Sequence, residues 1–301
     1  MSLLQTMINN VLPVFLLAGL GWVARRILKI EVKDPAAVAV YLLTPGFIAN
    51  SILNAKLVST EIGKIIIFGL ALTGAMILIT LITGRLLGWS PVERNAAVLS
   101  SSFMNVANYG LPVILFAFGQ AGFDRAAVFV VLESLLMYTV AVFFAARGRL
   151  DLRQALKAVF KLPMVWAATG ALAIRLTGVA LPEVVMKPVG LLANGALVVL
   201  IIILGMQVAG IRLKGARVKI SIVAFLRLIA SPVVALGLVA WLKPEPLTAQ
   251  VLVLESAMPA AVNVTLLAVQ FDAEPDQVSG VTLVSTLVSL LTVTFWVWFL
   301  R

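Results

Sequence analysis

Asn105-Val106-Ala107-Asn108-Tyr109-Gly110-Leu111-Pro112 lies inside one membrane-length apolar segment, and Met258-Pro259-Ala260-Ala261-Val262-Asn263 lies inside another. A helix in lipid must satisfy its own backbone. Pro, Gly and clustered Asn at mid-membrane depth are therefore tolerated only where the chain is buried in protein or lines a cavity. Interrupted apolar segments at corresponding places in two halves of a chain point to a transport site.

The composition sets the class. With 62% hydrophobic and 12% charged residues and a mean hydropathy of +1.10, the chain has more apolar surface than a single water-soluble core can bury. A hydrocarbon core about 30 Å thick takes roughly 20 apolar residues per helical span. The spacing predicts spans at about 4–26, 36–54, 63–88, 95–119, 125–146, 158–178, 187–210, 219–241, 247–271 and 278–300. Asp34-Pro35, Ser90-Pro91 and Glu274-Pro275-Asp276 punctuate joints between them, and Lys243-Pro244-Glu245-Pro246 reads as a tight hairpin. Between Arg149 and Lys161, Leu152, Leu156, Val159 and Phe160 share a helical arc beside basic residues. That stretch reads as an interfacial helix or as the solvated start of span six.

Lys and Arg fix the orientation. One set of alternate loops holds Arg25, Arg26, Lys29, Lys33, Arg85, Arg94, Arg147, Arg149, Arg153, Lys157, Lys161, Arg212, Lys214, Arg217, Lys219, and Arg227 if assigned there; the other holds Lys56, Lys64, Arg125, Arg175, Lys187, Lys243 and Arg301. The richer set belongs in the cytoplasm, which places both termini on the extracytoplasmic side of the plasma membrane. Topology and anionic membrane lipids then account for the net charge of +10. The basic residues are scattered and have no aromatic platform, so no nucleic-acid partner is expected. The first apolar stretch runs into Arg25-Arg26 without a cleavage pattern and is expected to stay as a span.

The chain has no Cys and no His. Thiolate metal sites, zinc motifs, cysteine nucleophiles and the usual serine triad are thereby excluded. No catalytic residue, bound metal or cofactor is predicted, and the chain is read as a non-enzyme.

The spans divide into two sets of five. Leu12-Pro13 in span one matches Leu162-Pro163 in span six, and the breaks in spans four and nine are each followed by one more span. An odd number of spans per half inserts the halves upside down relative to each other. The fold class predicted is an all-α polytopic membrane protein of ten transmembrane helices, as two inverted five-helix repeats with crossed broken helices at spans four and nine. The first repeat covers 1–148, a short cytoplasmic connection 149–161, and the second repeat 162–301.

These residues carry a family resemblance. The chain resembles the auxin efflux carrier family of membrane transporters, within the bile, arsenite and riboflavin transporter-like superfamily, over essentially its whole length. The family includes plant auxin exporters and bacterial malate and malonate carriers. The most specific parts are Asn105 to Pro112 and Glu255-Ser256-Ala257-Met258-Pro259-Ala260-Ala261-Val262-Asn263, with Thr44-Pro45 a softer match. The resemblance implies scaffold and transport subdomains each built from both repeats, an elevator-like movement, and a homodimer through a scaffold face that spans one, two and seven would supply. The long cytoplasmic loop of plant members is absent, so nothing of its regulation carries over.

The chemistry of the breaks is legible without the resemblance. An interrupted helix frees N–H and C=O groups, and the N-terminus of the following half-helix presents donors with positive partial charge that suit a carboxylate. Asn105, Asn108 and Asn263 add amides, and Tyr109, Gly110, Pro112 and Pro259 complete the candidate substrate-binding set. Each Asn alone also fits an interhelical hydrogen bond, and Tyr109 fits either stacking on a substrate or simple packing. Glu133 and Glu255 are intramembrane carboxylates and hence functional suspects. In low dielectric a carboxylate takes up a proton more readily, or it stays ionised as a Na⁺ ligand. Glu255, Glu133 and Ser256 are the ion-coupling candidates, for H⁺ or for Na⁺ near Glu255, with Thr265 and Gln270 as helpers. Glu133 has an alternative partner in Ser101 or Ser102. Arg227 is expected to snorkel to the cytoplasmic interface, with an ion pair to Glu255 or Glu133 as the rival. The six Trp mostly fall near span ends, as anchors do.

A secondary transporter of a small organic anion fits best. A channel needs a polar lining that these spans lack, an intramembrane enzyme would rest on a Glu133–Glu255 dyad alone, and a cation/proton antiporter would place Asp where this chain has Asn. The first break, rich in amides and free of acid, is expected to take the anion; the second, beside Glu255, is expected to take the driving ion.

Overall fold

The computed structural model describes residues 2–54, 59–146, 160, 163–179, 181–211 and 216–301. The connection at 149–161, and with it the interfacial-helix reading, lies outside the described residues except for Phe160. The described residues form helices α1 (Leu3–Arg26), α2 (Lys33–Asn54), α3 (Ser59–Leu86), α4 (Pro91–Ser102) and α5 (Val106–Ala145). Then follow α6 (Pro163–Thr177), α7 (Glu183–Gly210), α8 (Arg217–Leu242), α9 (Pro246–Ser256), α10 (Val262–Gln270) and α11 (Pro275–Leu300). Among them, seven are long and apolar enough to cross a membrane. The chain is an integral membrane protein.

Seven differs from the ten spans expected for three local reasons. Spans four and nine are broken, so α4, α9 and α10 are each too short alone. Gly119, at φ 67°, bends α5 where span four was expected to end and joins it to span five without a gap. The described part of α6 is only 15 residues long.

The local structure follows the punctuation. Ser90 caps α4 in a reciprocal box, with Glu93 N–H donating to Ser90 Oγ at 3.3 Å and Ser90 N–H to Glu93 Oε2 at 2.8 Å. Pro246 and Pro275 open α9 and α11. Inside the long helices the turns at Met7–Val11, Ala39–Leu43, Val106–Gly110 and Leu226–Ala230 are widened by one residue. Each lies just before a proline, at 13, 45, 112 and 232. Proline offers no N–H and crowds the carbonyl four residues back, and a wider turn relieves both. Met137–Ala141 widens without a proline.

Two groups of helices result. In one, α1 lies along α7, and α2 along α6 and α7; in the other, α3, α4, α5, α8, α9, α10 and α11 pack together. The groups meet where the first turn of α5 rests on α7, where α2 packs on α5, and where the start of α1 reaches α5 and α11. Four Trp are exposed, as interface anchors would be, whereas Trp89 and Trp296 are buried.

Candidate functional site

The two helix breaks touch each other. Met104 and Ala260 form an isolated antiparallel bridge, with Asn105 N–H donating to Pro259 O at 2.8 Å and Ala261 N–H to Phe103 O at 3.0 Å. Each interrupted segment thereby satisfies part of the other's freed backbone, as buried irregular chain at membrane depth must. The bridging N–H groups are satisfied from the next helix of their own half. Met104 N–H donates to Glu133 Oε1 at 3.2 Å, and Ala260 N–H to Ser285 Oγ at 3.2 Å.

The first turns of α5 and α10 face one small cavity of about 50 Å³, lined by Asn105, Asn108, Glu133, Ser134, Asn263 and neighbouring apolar side chains. Two helix N-termini thus present backbone donors to one point. Asn105 Nδ2 and Glu133 Oε2 are buried and without a hydrogen-bond partner among the described residues. Asn108, Met137 and Asn263 also line a larger cavity of about 290 Å³, which extends to Tyr138, Gln207 and Gln270.

The other sequence-predicted residues sit behind this front. Tyr109 turns away, buried against the edge of Phe15 at a centroid distance of 5.9 Å, with its hydroxyl 3.1 Å from that of Ser289. It lines a separate apolar cavity with Phe15, Trp22 and Leu204. Pro259 contributes its carbonyl to the bridge, and Gly110 and Pro112 are buried in α5. Glu255 is fully buried and packs on Gly110, where a Cβ would lie 2.3 Å from Oε2. Neither of its oxygens has a partner among the described residues. Both carboxylates therefore border the first break, and the expected division into an acid-free first break and an acidic second one is not how the side chains are placed.

Two further expectations change. Ser101 and Ser102 do not serve Glu133: Ser101 Oγ is 2.7 Å from Thr80 Oγ1, and Ser102 Oγ has no partner among the described residues. Ser256 turns its hydroxyl back to Val253 O at 2.6 Å. Arg227 does not snorkel, because it is fully buried. It donates to Ser101 O at 2.8 Å, and also to Ser256 O and Ser231 Oγ. It forms no ion pair with Glu133 or Glu255 among the described residues. Thr265 pairs with Thr282 at 3.1 Å.

Sequence reasoning missed Ser285, Ser231 and Gln207. A signal existed for the first: Thr282, Ser285, Thr286 and Ser289 are buried and recur at the spacing of one helical face.

A family model described as a membrane transport protein matches residues 6–297. An "uncharacterized transporter" of Methanothermobacter thermautotrophicus is 25% identical over 293 residues, covering 96% of each chain. A second "uncharacterized transporter", from Methanocaldococcus jannaschii, is 27% identical over 67% of each chain. Protein PIN-LIKES 7 of Arabidopsis thaliana is 33% identical over 144 residues, 45% of this chain and 36% of that protein.

Proposed function

The chain belongs to the membrane transport protein family, the auxin efflux carrier family that its motifs resemble, and on that premise we propose that it is a secondary active carrier for a small organic anion. The substrate is a mono- or dicarboxylate, auxin-like or malate- or malonate-like, and it crosses the plasma membrane by an elevator-type alternation. One observation carries this reading: two bridged helix breaks direct two helix N-termini and the amides of Asn105, Asn108 and Asn263 into one cavity. Donors of that kind recognise a carboxylate at little desolvation cost. Glu133, on the same cavity, and Glu255, against Gly110, are the candidates for coupling to H⁺ or Na⁺.

Ten spans in two inverted repeats fit the packing. If α1, α2, α3, α4, the first arm of α5 and its second arm correspond to α6, α7, α8, α9, α10 and α11, the pair α1–α7 maps onto α6–α2. On the same scheme α3–α4 maps onto α8–α9, and α4–α11 onto α9–α5. Met104 with Glu133 likewise corresponds to Ala260 with Ser285. In this scheme α1, α2, α6 and α7 are the scaffold, with its exposed apolar face available to a second copy, and the other helices move. Both termini lie outside the cytoplasm, and the larger cavity then opens inward.

The test is counterflow in proteoliposomes with malate, malonate and indole-3-acetate under imposed H⁺ or Na⁺ gradients. At least one should exchange. Removing a hydrogen bond to a charged group costs about 1.5–3 kcal/mol, so Asn105→Ala combined with Asn263→Ala should lower substrate affinity by about tenfold or more. No exchange of any of the three by the parent protein, with ligand binding unaltered in the double variant, would defeat the reading.

A further inference from the structure

Arg227 is the largest of the fully buried side chains, and its hydrogen-bond partners are two carbonyls and a hydroxyl rather than carboxylates. Nη1 donates to Ser101 O, and Nη2 to Ser256 O. Ser231 Oγ donates to the same Ser256 carbonyl at 3.0 Å. Ser101 and Ser256 stand in the last turns of α4 and α9, the two half-helices that stop at the breaks.

The last carbonyls of a helix have no partner within it and carry the negative end of its dipole. Two such ends directed at one buried position favour a cation. In transporters built on broken helices, half-helix C-termini of this kind coordinate the coupling Na⁺. Here a guanidinium occupies the place between the two ends, carried on α8 within the widened turn at Leu226–Ala230. A guanidinium keeps its charge and supplies several donors in a fixed plane, so one side chain reaches both helix ends.

We propose that Arg227 is a tethered cation that stands in for a metal ion between the two half-helix C-termini, so that this carrier works without Na⁺. The second clause rests on the transport reading; the first does not.

The test uses the purified full-length protein in detergent, with melting temperature compared in NaCl and in choline chloride at equal ionic strength, together with binding of radiolabelled Na⁺. The parent protein should melt alike in both salts and bind no Na⁺ saturably. Arg227→Ala should melt lower in choline and recover part of the loss in NaCl. Arg227→Lys, which keeps the charge, should lose less and gain no Na⁺ response. Saturable Na⁺ binding by the parent, or a folded Arg227→Ala indifferent to Na⁺, overturns the proposal. Should Arg227→Ala fail to accumulate, the parent's response to Na⁺ and that of Arg227→Lys decide it. In proteoliposomes, stimulation of the parent's flux by a Na⁺ gradient also overturns it, whereas absence of all flux strikes the transport reading and leaves the salt comparison intact.

Discussion

Two places bring helices into unusually close approach, and they do so in opposite ways. Along the α1–α7 seam the contact is glycine against backbone: a Cβ on Gly205 would lie 1.7 Å from Ala18 O, and one on Gly21 would lie 1.9 Å from Ile202 O. At the break, Gly110 meets a side chain instead, the carboxylate of Glu255. The seam has no slack, because two main chains cannot rotate out of each other's way. The break has a movable partner whose oxygens are not tied to any donor among the described residues. One approach builds a fixed frame; the other leaves a group free to change partners.

Two substitutions test that contrast. Gly205→Ala should have the largest effect, a loss of about 3 kcal/mol from overpacking against backbone, read as a fall in melting temperature in detergent. A variant as stable as the parent would mean that the seam yields. Gly110→Ala should cost only about 1 kcal/mol in the same assay, since Glu255 swings aside, but it should slow counterflow by about tenfold, the kinetic equivalent of 1.4 kcal/mol. Equal losses of stability in the two variants would erase the difference between seam and break.

The smallest effect belongs to the first turn of α4, where Lys219 of α8 bonds the Glu93 carboxylate. That bond, with help from the Ser90 N–H, holds Glu93 below its ordinary range. A depressed carboxylate stabilises the fold at pH above its unfolded value, about 4.3, and loses that contribution as pH falls through the lower folded value. Lys219→Met should cost less than about 1 kcal/mol near neutral pH. The difference in melting temperature from the parent should shrink as the pH is lowered through that window; a gap that persists at acid pH would assign the effect to packing.

Much of the frame was legible. Prolines 13, 45, 112 and 232 mark turns that the backbone must widen, and Ser90 to Glu93 writes out a helix start. The two proline- and amide-bearing breaks had to be buried, and the position of Asn105, Asn108 and Asn263 on one cavity follows from two half-helices starting at the same depth.

What was not legible depends on azimuth. Glu255 lies in a helix apolar all round, so periodicity cannot say that it faces Gly110 of the other break rather than its own. Arg227 was misread for a related reason. A snorkelling cation and one clamped between carbonyls occupy the same depth along a hydropathy profile, and only their partners differ. Ser231-Pro232, one turn beyond it, was the available hint of a polar pocket on that side of α8.

The Met104–Ala260 bridge also bears on how the chain is made. Each half contributes one edge of it: Phe103 O and Asn105 N–H from the earlier half, Pro259 O and Ala261 N–H from the later. While the ribosome is still making the later half, the earlier one has these groups unmatched at mid-bilayer, where an exposed polar backbone is costly. More than a hundred residues separate the two edges, so the earlier half cannot complete its backbone hydrogen bonding at the break until the later half is in place.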